Sequence, residues 1–131
     1  MIKITQKKQI IELIIKITPK ELELTADPEL IEQVLINLVK NAIDALKDTA
    51  DPQIKLSAKM DARSRIVLQV CDNGPGILKE NKEQIFIPFF TTKKTGSGIG
   101  LSLSRQVMRA HRGSITLNTQ KGKKTEFVLR F

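Results

Sequence analysis

Residues 28–47 constrain the fold more than any other stretch. They open at Asp27-Pro28-Glu29, where a capping carboxylate precedes a proline at the first helical position. Apolar residues then recur at the 3.6-residue period. Ile31, Leu35, Leu38, Val39, Ala42, Ile43 and Leu46 share one broad face, and Asn37, Asn41 and Asp44 fall in a narrow arc on the opposite one. A helix with a greasy back needs a layer to lie on. Its amide-rich front is left for solvent or for a ligand.

The rest of the chain supplies that layer. Residues 10–17 and 22–26 read as short strands around a turn at Pro19-Lys20, and 53–60 and 66–72 as two more joined by Asp61-Ala62-Arg63-Ser64. Asp72-Asn73-Gly74-Pro75-Gly76 cannot continue a strand and makes a loop. A short helix or irregular segment is expected through Phe86, and residues 87–98 read as a mobile loop. A second helix is expected from Ile99 to Arg112, ending at Gly113, with Leu103, Val107 and Ala110 on its apolar side and Leu101 and Met108 beside them. Arg105, Arg109 and Arg112 form a basic stripe on this helix. Strands at 114–119 and 125–131 close the chain. The order implies an α/β (α+β) two-layer sandwich, a mixed and largely antiparallel sheet with helices on one face.

Charge is distributed unevenly. The net charge is +8. Residues 1–92 hold 13 basic and 13 acidic side chains, whereas residues 93–131 hold nine basic ones and a single acid, Glu126. A nucleic-acid surface, a phosphorylated small molecule and a solvated face all fit such an excess. Five Phe with no Trp or Tyr argue against a stacking platform for single-stranded nucleic acid. One cysteine, Cys71, excludes an internal disulfide framework, and no apolar run reaches the length of a membrane span. A reducing, cytoplasmic setting is expected.

Four clusters carry chemistry. Asn37 and Asn41 lie one helical turn apart, where amides can bind phosphate and offer a neutral oxygen to Mg²⁺; asparagines are also ordinary on a solvent face. Asp72 ends an apolar strand, where a carboxylate can accept from a purine's exocyclic amine, and Gly74 and Gly76 let backbone approach a flat ring; an Asn-Gly turn between strands is the plain alternative. Three of the five Phe sit in Ile85-Phe86-Ile87-Pro88-Phe89-Phe90-Thr91-Thr92-Lys93, a hinge stapled to the core before a polar loop. Gly96-Ser97-Gly98-Ile99-Gly100-Leu101 opens a helix, whose free N–H groups suit phosphate. It lacks the Lys-Ser/Thr of a P-loop.

Together and in this order the four clusters resemble the nucleotide-binding domain of histidine kinases, which shares its fold (the Bergerat, or GHKL, fold) with gyrase and the MutL ATPases. QVLINLVKNAIDAL (33–46) is similar to that family's N box, DNGPGI (72–77) to its G1 box, IFIPFFTTK (85–93) to its F box and GSGIGLSLS (96–104) to its G2 box. Phe-Phe-Thr-Thr-Lys resembles the sensors related to nitrogen regulation. The resemblance covers the chain from about residue 10, implying one ATP-binding catalytic domain over 10–131. Residues 1–9 have no counterpart and are expected to be the remnant of an upstream helix or a linker.

The resemblance implies ATP and Mg²⁺ as cofactors. Asn41 would ligate the metal and Asn37 would lie beside the phosphates, with Lys40 on nearly the same arc. Asp72 would bond the adenine amine, Gly74 and Gly76 would shape the base pocket, and Ile77 would lie against the ring. Thr92, Lys93, Gly96, Ser97, Gly98, Ile99, Gly100 and Leu101 would frame the phosphate end, with Lys93 reaching a phosphate. Catalysis would then rest on Asn37, Asn41 and Lys93. Gyrase-like relatives carry a water-activating glutamate at the position of Asn37. An amide cannot take a proton at neutral pH, so hydrolysis through a general base at this position is excluded and phosphoryl transfer is expected instead.

The acceptor would be a histidine on a separate dimerisation domain, because His111 matches a structural His-Gly-Gly stretch of the family. Implied partners are that domain and a response regulator, with neither nucleic acid nor membrane contacted by this chain. The parent could be a membrane-anchored kinase. An ATP-gated interaction module and an anti-sigma-type serine kinase share the fold and are the competing readings. Two departures mark the chain: Arg112 replaces the first glycine of His-Gly-Gly, and Gly122-Lys123-Lys124-Thr125 lacks the second glycine of the family's last turn.

Overall fold

The structure, a computed structural model, describes residues 2–6, 9–90, 98–120 and 122–131. Six strands form one sheet: β1 (Ile2–Gln6), β2 (Gln9–Thr18), β3 (Gln53–Met60), β4 (Ile66–Asp72), β5 (Ser114–Gln120) and β6 (Lys124–Arg130). Their spatial order is β1-β2-β3-β4-β6-β5. Only β2 and β3 run parallel, and α1 (Pro28–Ala45) makes the crossover between them. The remaining pairs are antiparallel. The second helix, α2 (Gly100–Ala110), packs against α1 and β5 on the same side of the sheet. No helix among the described residues is long and apolar enough to cross a membrane.

α1 starts where the sequence says it should. Asp27 Oδ1 accepts from the N–H groups of Glu29 (3.0 Å) and Leu30 (3.2 Å), and Pro28 needs no partner at the first position. Ile31, Val34, Leu38, Ala42 and Leu46 are buried. They meet Ile11, Ile54 and Val70 from the sheet, and Met108 from α2 joins the same core. The buried stripe therefore centres on Leu38 and takes in Val34. Leu35 and Val39, expected at its middle, are only partly buried. They line a shallow apolar groove with Leu24, Pro28 and Ile36.

The opposite face of the sheet mixes polar side chains with valines and isoleucines. Ser57 Oγ donates to Gln69 Oε1 across β3 and β4 at 3.0 Å, and Arg130 reaches Thr116. Along β4 and β6 the residues of the helix face, Val70, Phe127 and Leu129, join the core, while Val67 and Val128 are buried on the outer face.

Three expectations are corrected. Residues 22–26 form no strand: β2 already has β1 on one side and β3 on the other, so no free edge remains for them, and Leu22 N–H instead turns back to Pro19 O. Residues 2–6 are strand β1, paired with β2 from Ile2↔Leu13 to Gln6↔Gln9, not the end of an upstream helix. In α2, Leu103 is exposed while Ser102 and Ser104 are buried. Their hydroxyls donate back to Ile99 O (2.8 Å) and Gly100 O (2.9 Å), so burial leaves no polar group unsatisfied.

The end of α2 also differs in detail. Arg112, not Gly113, takes the left-handed position, at φ +60°. Its N–H bonds Arg109 O and that of Gly113 bonds Met108 O, which closes a Schellman cap. Gly113 is required for another reason. A Cβ there would run into Arg130 O of β6 and lie 2.9 Å from Met108 Cε. The last hairpin pairs in full from Ser114↔Arg130 to Gln120↔Lys124, so the missing second glycine costs it no register.

Candidate nucleotide-binding site

A cavity of about 600 Å³ opens between α1, the loop after β4 and the start of α2. Asn37, Lys40, Asn41 and Asp44 line it from α1; Asp72, Gly76 and Ile77 from β4 and its loop; Gly98, Gly100 and Leu101 from the head of α2. Three segments far apart in sequence therefore converge on one space. Two expected residues do not line it. Gly74 and Ile99 stand outside its lining, and Ile99 O accepts from Ser102 Oγ. Thr92, Lys93, Gly96 and Ser97 lie outside the described residues.

The floor at one end is Asp72. It is 5% exposed, and its Oδ1 accepts from Gly74 N–H at 2.9 Å. Burial pushes its carboxyl up to about 6, against the opposing pull of that single backbone bond. Beside it, Thr125 pairs with Asp72 in register, is 4% exposed and also lines the cavity. Sequence reasoning missed Thr125, although its place one strand over from Asp72 follows from the β4–β6 pairing. It also missed the apolar walls from Ala42, Ala45, Ile85 and Phe127.

The loop itself is tightly held. Asn73 accepts from Gln53 N–H at 2.7 Å and donates to Asp51 O at 2.9 Å, so it anchors the start of β3 and is not part of a hairpin turn. A Cβ on Gly74 would sit 2.9 Å from Asp72 Oδ1 and 3.2 Å from Ala45 O. Gly74 is what allows the loop to pass between α1 and the carboxylate.

At the other end, the Asn37 amide lies against Gly100: a Cβ on that glycine would be 3.6 Å from Asn37 Cγ. Helix α1's amides and helix α2's first turn thus meet at one spot. Gly98, at φ +74°, presses its Cα against the Phe89–Phe90 backbone, and Phe89 N–H donates to Gly98 O at 2.9 Å. Phe86 stacks edge-on against Phe127 in the core with Arg105 5.5 Å above its ring, and Phe89 is 75% exposed. His111 ties the two helices together from behind. Its Nδ1 meets Val107 O at 2.8 Å, so that nitrogen bears the proton, and Nε2 accepts from Asp27 N–H at 3.0 Å.

The model of the histidine kinase-, DNA gyrase B- and HSP90-like ATPases matches residues 26–131. The chain belongs to that family. It is 34% identical over 128 residues to the sensor histidine kinase ZraS of Salmonella typhimurium, a match that takes in 96% of this chain and 27% of that relative. The chain therefore spans about a quarter of the length of such relatives. The catalytic domain of histidine kinase ThkA superposes with a TM-score of 0.81 at 35% identity, covering 92% of this chain and 78% of that one. ThkA in complex with the response regulator protein TrrA gives a TM-score of 0.74 at 33% identity, covering 92% of this chain and 34% of that one.

Proposed function

We propose that the chain is the catalytic ATP-binding domain of a cytoplasmic sensor-kinase region, with residues 10–131 as the nucleotide-binding unit, and that it donates the γ-phosphoryl of Mg-ATP to a histidine on a separate dimerisation domain. The carrying observation is the convergence of Asp72, the Asn37–Asn41 face and the head of α2 on one cavity. The buried carboxylate is an acceptor suited to an adenine amine. The first-turn N–H groups of α2, which no side chain caps, suit phosphate.

The residues present fit a magnesium ion. Among the described residues no cluster of three or more His, Cys, Asp or Glu could cage a metal. Mg²⁺ needs no such cage: it binds through one or two protein oxygens plus phosphates and waters. Asn41 would hold it through its amide oxygen, and the bound ion would neutralise developing charge on the phosphates. Asn37 orients the phosphate end and takes no proton. Thr92, Lys93, Gly96 and Ser97 complete that end in this reading.

The binding claim is tested with a fluorescent ATP analogue titrated with and without Mg²⁺. Asn41→Ala and Asp72→Ala should each lose most of the affinity with the fold intact by circular dichroism. The transfer claim needs a His-bearing helical hairpin from the same kinase, supplied in trans with labelled ATP. Label on its histidine supports the kinase reading. Tight ATP binding without any transfer favours the interaction-module reading.

A further inference from the structure

We propose that Thr119, on β5, is a positioning residue for the base-reading loop, acting through its hydroxyl. This rests on the nucleotide reading given above and names a residue outside the four clusters. Asp72, Thr125 and Thr119 stand in one row across β4, β6 and β5, since Asp72 pairs with Thr125 and Thr125 with Thr119. Thr119 is therefore two strand spacings, about 10 Å, from Asp72.

The loop leaves the sheet at Asp72 and returns over that row. Its near end is held by Asp72 Oδ1 on Gly74 N–H and by Asn73 on Gln53 and Asp51. Its far end is held by the hairpin. Thr119 Oγ1 accepts from Ile77 N–H at 2.9 Å while donating to Lys124 O at 3.0 Å, and Gly122 N–H donates to Pro75 O at 2.7 Å. Both roles of the hydroxyl are thus used, which fixes its rotamer and its aim. Gly76, at φ +79°, makes the close approach possible: a Cβ there would fall 2.9 Å from Thr119 Oγ1 and 2.8 Å from Gln120 O. Ile77, whose amide the hydroxyl holds, itself lines the cavity. Releasing that amide lets the wall of the base pocket move away from Asp72.

The test compares Thr119→Val, Thr119→Ser and Thr119→Ala with the parent chain, titrating ADP and GDP and following Ile77 amide exchange by NMR. Val keeps the shape and removes the hydroxyl; Ser keeps the hydroxyl. In the Val and Ala variants, ADP affinity should fall about tenfold, the preference over GDP should narrow and Ile77 exchange should accelerate. The Ser variant should stay within about twofold of the parent on both nucleotides. Parent-like ADP binding by Thr119→Val, or a Ser variant as weak as Val, overturns the proposal. Asp72→Asn is run alongside. If it loses ADP while Thr119→Val does not, only the role of Thr119 falls. If Asp72→Asn binds like the parent, the base-reading assignment falls and Thr119's role with it.

Discussion

The two ends of the cavity are built differently. At the end proposed for the base, Asp72 sits on a central strand, the 73–77 loop is bonded to its neighbours, and Gly74 and Gly76 lie too close to theirs to admit a side chain. At the end proposed for the phosphates, α1 and the first turn of α2 meet side by side. A Cβ on Gly100 would find only ordinary contacts. A site that must tell one base from another needs fixed partners at fixed places. A site that holds phosphates and a metal can rely on dipoles and amides that adapt around a strongly charged ligand.

The largest expected effect breaks the rigid end. Asp72→Asn keeps an oxygen for Gly74 N–H but replaces the acceptor facing the base. It should weaken adenine-nucleotide binding by about 30- to 100-fold, the loss of a hydrogen bond to a charged group. The same change should stabilise the nucleotide-free fold. Holding a buried carboxylate ionised at pH 7, when its folded pKa is about 6 against 3.8 unfolded, costs about 3 kcal/mol. A higher melting temperature with lost affinity is the expected pair of results.

The next contrast uses the glycines. Gly98→Ala places a methyl group against the Phe89 backbone at a left-handed φ and should destabilise by about 2 kcal/mol or more. Gly100→Ala should fold as the parent does, because the added methyl group meets Asn37 only at ordinary contact distance. Urea unfolding of both variants measures this difference directly. Equal losses would mean that the Asn37–Gly100 contact is as tight as the packing of Gly98 on the Phe89 backbone.

The pH dependence follows from Asp72 with a definite sign. Its folded pKa lies above its unfolded one, so its contribution is fully present below pH 3.8 and is lost as the pH rises through about 6. Between these values the parent should therefore lose stability relative to Asp72→Asn as the pH rises. Chemical denaturation at several pH values isolates the term as the difference between the two chains. The smallest effect lies away from both ends. Arg112→Gly relieves a left-handed arginine at φ +60° and should add roughly 1 kcal/mol of stability with nucleotide affinity unchanged. It separates stability from binding, and so checks that the gain in Asp72→Asn does not by itself alter affinity.

Much of the base end was legible in the sequence because strand and loop chemistry are local. Apolar alternation ending at Asp72, followed by residues that cannot continue a strand, located both the carboxylate and the loop. The asparagine face of α1 was equally plain from helical spacing. What escaped depends on pairing between distant segments. Thr125 joins the site only because β6 lies beside β4, an order that no local pattern encodes. Residues 22–26 alternate like a strand, yet both edges of β2 are taken. In α2, period alone placed Leu103 inside, yet Leu103 is exposed and Ser102 and Ser104 are buried. Hydroxyls that bond the preceding turn reverse that ranking.

The central claim is that one cavity reads a base at Asp72 and holds a metal-bound phosphate at Asn41. Calorimetric titration of ADP and GDP, each with and without Mg²⁺, into the parent, Asp72→Asn and Asn41→Ala tests it most directly. The account predicts a double separation: Asp72→Asn loses the preference for ADP but keeps the magnesium effect, and Asn41→Ala loses the magnesium effect but keeps the preference. Parent-like behaviour of both variants, with base preference and magnesium dependence untouched, would contradict it.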